Sequence, residues 1–202
     1  DIGANNGQFS KKLRDYGYLD KIVSFEPLSG EYEVLKKNSL NDNKWEIYPK
    51  CALGNFDGNI NINVSTYSPS SSILNFSKIH QEAKPEAKMV KKETCPIYKL
   101  DTVINELKLQ NVNYCMKIDT QGYEKFIIEG AKEYLKNCKI LYCEVSLKEV
   151  YNSAPLWFEI IDINQLKPYI ATRNYGDKRG RVWYNDNFDN KEENCVSDIK
   201  KY

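Results

Sequence analysis

Asp1-Ile2-Gly3-Ala4-Asn5-Asn6-Gly7-Gln8-Phe9-Ser10 is the stretch that decides the fold. An acid followed by two glycines, then Phe9 and Leu13 at helical spacing, predicts a buried strand turning tightly into a helix. Gly3 and Gly7 lack a Cβ, so the backbone can turn there and a ligand can come close. Downstream, Ile22-Val23-Ser24-Phe25-Glu26-Pro27 is a short apolar run that ends in an acid and is stopped by proline. Two strands, each ending in a carboxylate, with a helix between them, form half of a nucleoside-binding α/β sheet. Ligands of such sheets sit outside the carboxyl ends of the strands.

A dinucleotide site asks for G-x-G-x-x-G, so that a pyrophosphate can rest on the helix N-terminus. The loop here is G-A-N-N-G, one glycine short, with Asp1 directly before the turn. A carboxylate at that point repels a pyrophosphate and suits a cation. S-adenosylmethionine carries an ammonium and a sulfonium, no phosphate, and a ribose whose hydroxyls an acid such as Glu26 can bind. Charge therefore favours S-adenosylmethionine over NAD. The plainer alternative is an ordinary glycine-rich turn with surface acids.

With 202 residues, net charge +1 and 41% hydrophobic residues, the chain reads as a single domain over 1–202 with a sizeable core. Near-neutral charge gives no electrostatic case for nucleic acid or an anionic membrane as partner. No apolar run approaches the roughly 20 residues that span a bilayer. The six cysteines show no C-x-x-C spacing, and several sit in apolar runs. They read as small buried hydrophobes in a reducing, cytoplasmic compartment. Asp1 should end a strand, and a central strand cannot be missing from such a sheet. The protein is therefore expected to extend upstream of this numbering, where a targeting segment has room.

Along the chain, a helix is predicted from Ser29 to Asn38, with Tyr32, Val34 and Leu35 facing inward. A strand follows from Trp45 to Leu53, then a hairpin turn at Asp57-Gly58. Asn59 to Val64 alternates polar and apolar residues and should pair antiparallel with Glu93 to Leu100 as a small extra hairpin. The intervening Tyr67 to Lys92, with Ser68-Pro69-Ser70-Ser71-Ser72, is long enough to read as a lid or a surface excursion. Helices are expected over Leu100–Leu109, Gly122–Leu135 and Pro155–Leu166, the last burying Trp157, Ile160 and Ile161. Strands are expected over Val112–Asp119, Lys139–Val145, Tyr169–Asn174 and Arg181–Tyr184, before a polar tail from Asn185. Alternating strands and helices argue for one α/β domain.

Asp119 stands at the carboxyl end of a strand beside the expected crevice, where it can take a proton from a hydroxyl or bind a substrate group. Its structural alternative is a helix cap. Glu124 falls on the first turn of the next helix, where the helix dipole alone explains it. Lys117 fits a plain structural ion pair. Asp119 and Glu144 end neighbouring strands and could share a divalent cation, though no third ligand stands near Glu144. His80, the one histidine, is a candidate base in the lid, with a merely solvated side chain as the simpler reading.

D-I-G-A-N-N-G-Q-F-S, F-E-P, C-A-L-G, L-D-T-V and M-K-I-D-T-Q-G-Y-E-x-x-x-I-E-G-A, in this order and spacing, resemble the FkbM family of S-adenosylmethionine-dependent methyltransferases. The resemblance covers Asp1 to about Glu144. It implies a class I methyltransferase fold: a seven-stranded, mostly parallel sheet with one antiparallel strand and helices on both faces. It also implies O-methylation of a small-molecule or sugar hydroxyl. By the same resemblance Asp1, Gly3, Ala4, Asn5 and Gly7 would hold the methionine part, with Phe9 and Ser10 beside them. Glu26 next to Pro27 would take the ribose, and Cys51, Ala52 and Leu53 would lie beside the adenine. Asp119 would face the methyl group, and acceptor specificity would be read from Val145 onward. The competing readings are a non-catalytic S-adenosylmethionine-binding module and an NAD-dependent oxidoreductase. RNA methylation lacks a basic patch with interleaved aromatics. Amine methylation lacks an Asn-Pro-Pro-Tyr type motif where Asp119-Thr120-Gln121-Gly122 stands.

Overall fold

The computed structural model describes residues 1–162, 168–173 and 179–184, with side chains as far as Ile160. In chain order the elements are α1 (Gln8–Asp15), β1 (Ile22–Ser24), α2 (Ser29–Ser39), β2 (Trp45–Ile47), β3 (Ala52–Gly54), β4 (Gly58–Ser65), α3 (Lys78–Ala83) and β5 (Met89–Lys99). They continue with α4 (Leu100–Glu106), β6 (Tyr114–Ile118), α5 (Glu124–Glu129), β7 (Cys138–Ser146), α6 (Trp157–Asp162), β8 (Pro168–Arg173) and β9 (Arg179–Tyr184). This alternation is that of an α/β protein.

The opening residues lie between β1 and β6. Ile2 bridges in parallel to Phe25 on one side and Ile118 on the other. Its N–H donates to Lys117 O (2.9 Å) and its carbonyl accepts from Asp119 N (3.2 Å). Across the other edge, Phe25 N donates to Asp1 O (2.9 Å) and Ala4 N to Phe25 O (3.0 Å). β1 pairs in parallel with β2, and β6 with β7. β9 runs antiparallel to both β7 and β8.

The described strands thus form sheets of two, three and four strands rather than the one of seven expected. The line joining β1 to β6 is a pair of isolated bridges at Ile2, not a ladder. The antiparallel pairing of β4 with β5 is present, with Ile60 opposite Cys95 and Ile62 opposite Glu93. It is not a separate hairpin, because β3 joins the other edge of β5 in parallel. Asp57-Gly58 therefore links two strands that lie on opposite sides of β5. The expected strand over Trp45–Leu53 is split in two at Tyr48-Pro49-Lys50, since proline cannot donate to a ladder.

Ile2, Phe25, Ile118, Ile127, Ile128 and Cys143 meet in the main core, while Ile62, Ala52 and Ile97 of the three-stranded sheet pack with Leu28 and Tyr123. α5 is shorter than predicted. It ends at Glu129 with Gly130 as its C-cap, and a Cβ on Gly130 would lie 1.9 Å from Gly54 O, so only glycine lets the chain pass this close to β3. In α2, Leu35 is buried while Val34 is exposed. In α6, Ile160 is buried but Trp157 is 42% exposed, contrary to the predicted core role. Residues 163–167, 174–178 and the tail from 185 lie outside the described residues. Among the described residues, no helix is long and apolar enough to cross a membrane.

Candidate active site

The two strand-to-helix turns at Gly3–Gly7 and Asp119–Gly122 come together at the carboxyl ends of adjacent lines. Both glycines of the first loop have positive φ, 70° at Gly3 and 83° at Gly7. A Cβ on Gly3 would stand 2.0 Å from Asp119 O, and one on Gly7 2.5 Å from the Trp45 ring. The glycines are thus demanded first by the protein's own packing, with ligand approach a separate matter.

The Asp1 carboxylate is turned inward. Its Oδ2 accepts from Ser10 Oγ (2.9 Å) and its Oδ1 lies 3.2 Å from Lys117 Nζ. The Asp1 side chain is 1% exposed and that of Lys117 8%. Lys117 Nζ also donates to Gly3 O (2.8 Å) and Ile2 O (3.3 Å), pinning the loop from beneath. Burial lowers the Lys117 pKa, against the opposing pull of Asp119, Glu26, Glu144 and Tyr142. Ser10 is fully buried, and Phe9 stacks on Tyr142 with centroids 5.6 Å apart.

Glu26 ends the next line and holds the loop's rim. Oε2 accepts from Asn5 N (2.7 Å), and Oε1 accepts from Leu28 N (2.9 Å). At 4% exposure its pKa is pushed up to about 7 by burial, which outweighs the two N–H donors. Asn5 (φ 49°) sends its amide nitrogen to Ser68 Oγ (3.1 Å), and Ser68 in turn donates to Glu31. Pro27 is half-buried beside Glu26. Ala4, Cys51, Ala52 and Leu53 are buried in the core clusters, and burial pushes the Cys51 thiol up to about 12.

On the second turn, Glu124 does more than complement a helix dipole. Its carboxylate accepts from Thr120 N (2.8 Å) and Gly122 N (3.0 Å), closing the turn on itself. Asp119 does not cap α5, whose first residue has no side-chain cap. It is half-buried, and its Oδ1 accepts from Gln121 Nε2 at 2.7 Å. The same Nε2 donates to Glu144 Oε2 (3.0 Å). An amide donor therefore bridges the two carboxylates, where a shared cation was considered. Among the described residues no cluster of three or more metal-ligating side chains forms.

The expected lid is packed. Asn63 and Ser72 exchange backbone hydrogen bonds, Thr66 N donates to Lys88 O, and Phe76 bridges Tyr151. His80 is not solvated. It lies on α3, buried, stacked on Phe76 with centroids 3.7 Å apart. The Ser68–Ser72 turn instead touches both site loops, through Ser68 to Asn5 and through Ser72 Oγ to Gln121 O (2.7 Å). Gln121 and Tyr151, whose hydroxyl lies 2.9 Å from Gln121 Oε1, were not anticipated. Gln121 sits inside a motif read for its acids, and Tyr151 has no local signal. A groove of about 540 Å³ lined by Asn59, Asn61, Asn63 and Lys92 lies on the three-stranded sheet, away from both turns.

Fold and site together define an α/β protein in which a glycine loop, the buried Glu26 and the half-open Asp119 gather at the strand ends. Residues 1–178 match the family described as the methyltransferase FkbM domain. That is most of the chain, and the protein belongs to this family. No curated protein and no solved structure matches the chain.

Proposed function

We propose that the protein is an S-adenosylmethionine-dependent O-methyltransferase acting on a hydroxyl of a small molecule or sugar. The observation that carries this reading is the placement of Glu26 and Asp119 on either side of the glycine loop, one buried beneath its rim and one half-open. The β1-β2 pair, the Ile2 line and β6-β7-β9-β8 are read together as the class I sheet, with β9 as its antiparallel strand. Five described cysteines are free, which suits a reducing compartment.

Of the three acids Asp1, Glu26 and Asp119, only the half-open Asp119 is exposed enough to attract the sulfonium directly. Glu26 retains lone pairs for ribose hydroxyls beyond the two N–H groups it already accepts. The buried Asp1 carboxylate would act on the ammonium only through the loop it anchors, not by contact. When bound, S-adenosylmethionine supplies an activated methyl group, whose transfer to the acceptor oxygen leaves the S–C electron pair on sulfur. Asp119 would take the hydroxyl proton through Oδ2, which accepts no hydrogen bond among the described residues. The Gln121 amide keeps Oδ1 fixed meanwhile. The protein's main contribution is alignment and exclusion of water.

The test is thermal unfolding with and without S-adenosylhomocysteine, with NAD as control. Ligand at 100 times its dissociation constant adds about 2.7 kcal/mol, a shift of several degrees at this size. A shift with NAD and none with S-adenosylhomocysteine overturns the reading.

A further inference from the structure

The hydrogen-bond chain Asn5–Ser68–Glu31 runs out from the glycine loop beside Glu26 and has a fixed direction. Asn5 Oδ1 already accepts from Asn6 N (2.9 Å) and Gln8 Nε2 (3.1 Å), so its Nδ2 is the end that meets Ser68 Oγ at 3.1 Å. Ser68 Oγ then donates to Glu31 Oε1. A serine hydroxyl is thus accepting from an amide and donating to a carboxylate. A ribose hydroxyl would make the same two bonds. The chain also adjoins Glu26, since the Asn5 backbone N–H donates to Glu26 Oε2 at 2.7 Å.

Other roles for these groups are limited. Glu31 lies in the first turn of α2, where a dipole contribution is expected. That does not explain why a serine from a distant turn is bonded to it. The Ser68 turn does not need the hydroxyl for its shape. Ser70 N donates to Tyr67 O (2.8 Å), Ser71 N to Ser68 O (2.9 Å), and Tyr67 N to Ser65 Oγ (3.1 Å). Both Ser68 and Glu31 are half-buried, so a ligand can reach them.

We propose that Ser68 Oγ is an internal stand-in for a ribose hydroxyl, and that Glu31 and the Asn5 amide bind that hydroxyl when a nucleoside displaces it. This rests on the nucleoside reading of the crevice and adds Glu31 as a second ribose-binding acid beside Glu26. The two carboxylates would share the vicinal hydroxyls, one each. A ribose bearing a phosphate would be repelled by both.

The test is titration calorimetry of S-adenosylhomocysteine with the full chain and four variants. Ser68→Ala removes the competitor, with its bonds to the Asn5 amide and the Glu31 carboxylate, and should tighten binding about tenfold. Glu31→Gln alone loses a partner in both the free and bound states and should change little. Placed on the Ser68→Ala background, it should weaken binding about tenfold, the worth of a charged hydrogen bond. Weaker or unchanged binding by Ser68→Ala overturns the proposal. So does a Ser68→Ala gain that survives addition of Glu31→Gln. If Glu26→Ala abolishes binding while the Ser68 and Glu31 variants leave it unchanged, the crevice reading stands and this proposal falls. If the wild type binds no S-adenosylhomocysteine, both fall.

Discussion

The glycine loop and the Asp119 turn are built alike and used differently. Each follows a buried line, each has positive-φ residues, and each is held by a glutamate, Glu26 accepting one N–H of the glycine loop and Glu124 two of the Asp119 turn. Each begins with an aspartate. Asp1 is sealed under the loop against Lys117 and Ser10, whereas Asp119 is half-open with one oxygen held by Gln121. The same residue type is thus sealed into the fold in one turn and left half-open in the other, where the proposed function gives it the role of base. What separates them is the lysine: Lys117 points at Asp1 and at the loop carbonyls, and so spends the first carboxylate inside the protein.

The sharpest way to break this comparison is Lys117→Met. It leaves Asp1 buried without its cation and should cost about 3–5 kcal/mol, as for other broken buried pairs. Denaturant unfolding measures it. Adding Asp1→Asn to that variant should return part of the loss, since the uncompensated charge is then gone. A loss below about 1 kcal/mol for Lys117→Met would mean that the pair is incidental.

Next in size is the pH dependence carried by Glu26. Its folded pKa of about 7 lies above its ordinary value of 4.5, with burial the largest cause. The folded state therefore holds the proton more tightly than the unfolded chain. The resulting stability is fully present below pH 4.5 and is lost as pH rises through 7, about 3 kcal/mol over that window. Stability of the wild type relative to Glu26→Gln should fall across pH 4.5 to 7 and then level. Glu124, also raised by burial, contributes in the same direction but cancels in that difference. A flat difference would show that Glu26 is not desolvated in the way its contacts imply.

Much of this was legible because it is local. The Gly3–Gly7 turn, the acids ending β1 and β6, and the alternation in β4 are written within a few residues of one another. The fate of Asp1 was not, because its anchor Lys117 reaches the loop from 114 positions away. The charge argument for a cationic ligand took Asp1 as facing the crevice, and only the fold reveals that it faces the core. Gln121 and Tyr151 meet across 30 positions, equally out of reach. The packed α3 does carry a local signature. Ser77 accepts from His80 N as an N-cap, and Phe76 and His80 stack four residues apart on what was read as a lid.

The smallest effect on the fold, and the one that tests the other half of the comparison, is Asp119→Asn. The side chain is half-buried, makes one hydrogen bond among the described residues, and is not the cap of α5. Stability should change by no more than about 1 kcal/mol, the worth of an ordinary hydrogen bond. Affinity for S-adenosylhomocysteine should hold, because Glu26, the proposed ribose acid, and the Lys117 anchor of the loop are untouched. Transfer to a hydroxyl acceptor should fall by about 10²- to 10⁴-fold, the range for loss of a positioned base. A large stability loss would make Asp119 a second Asp1, an acid spent on the fold. Unchanged turnover with unchanged stability would remove it from the chemistry and leave alignment by the glycine loop as the whole of the catalysis.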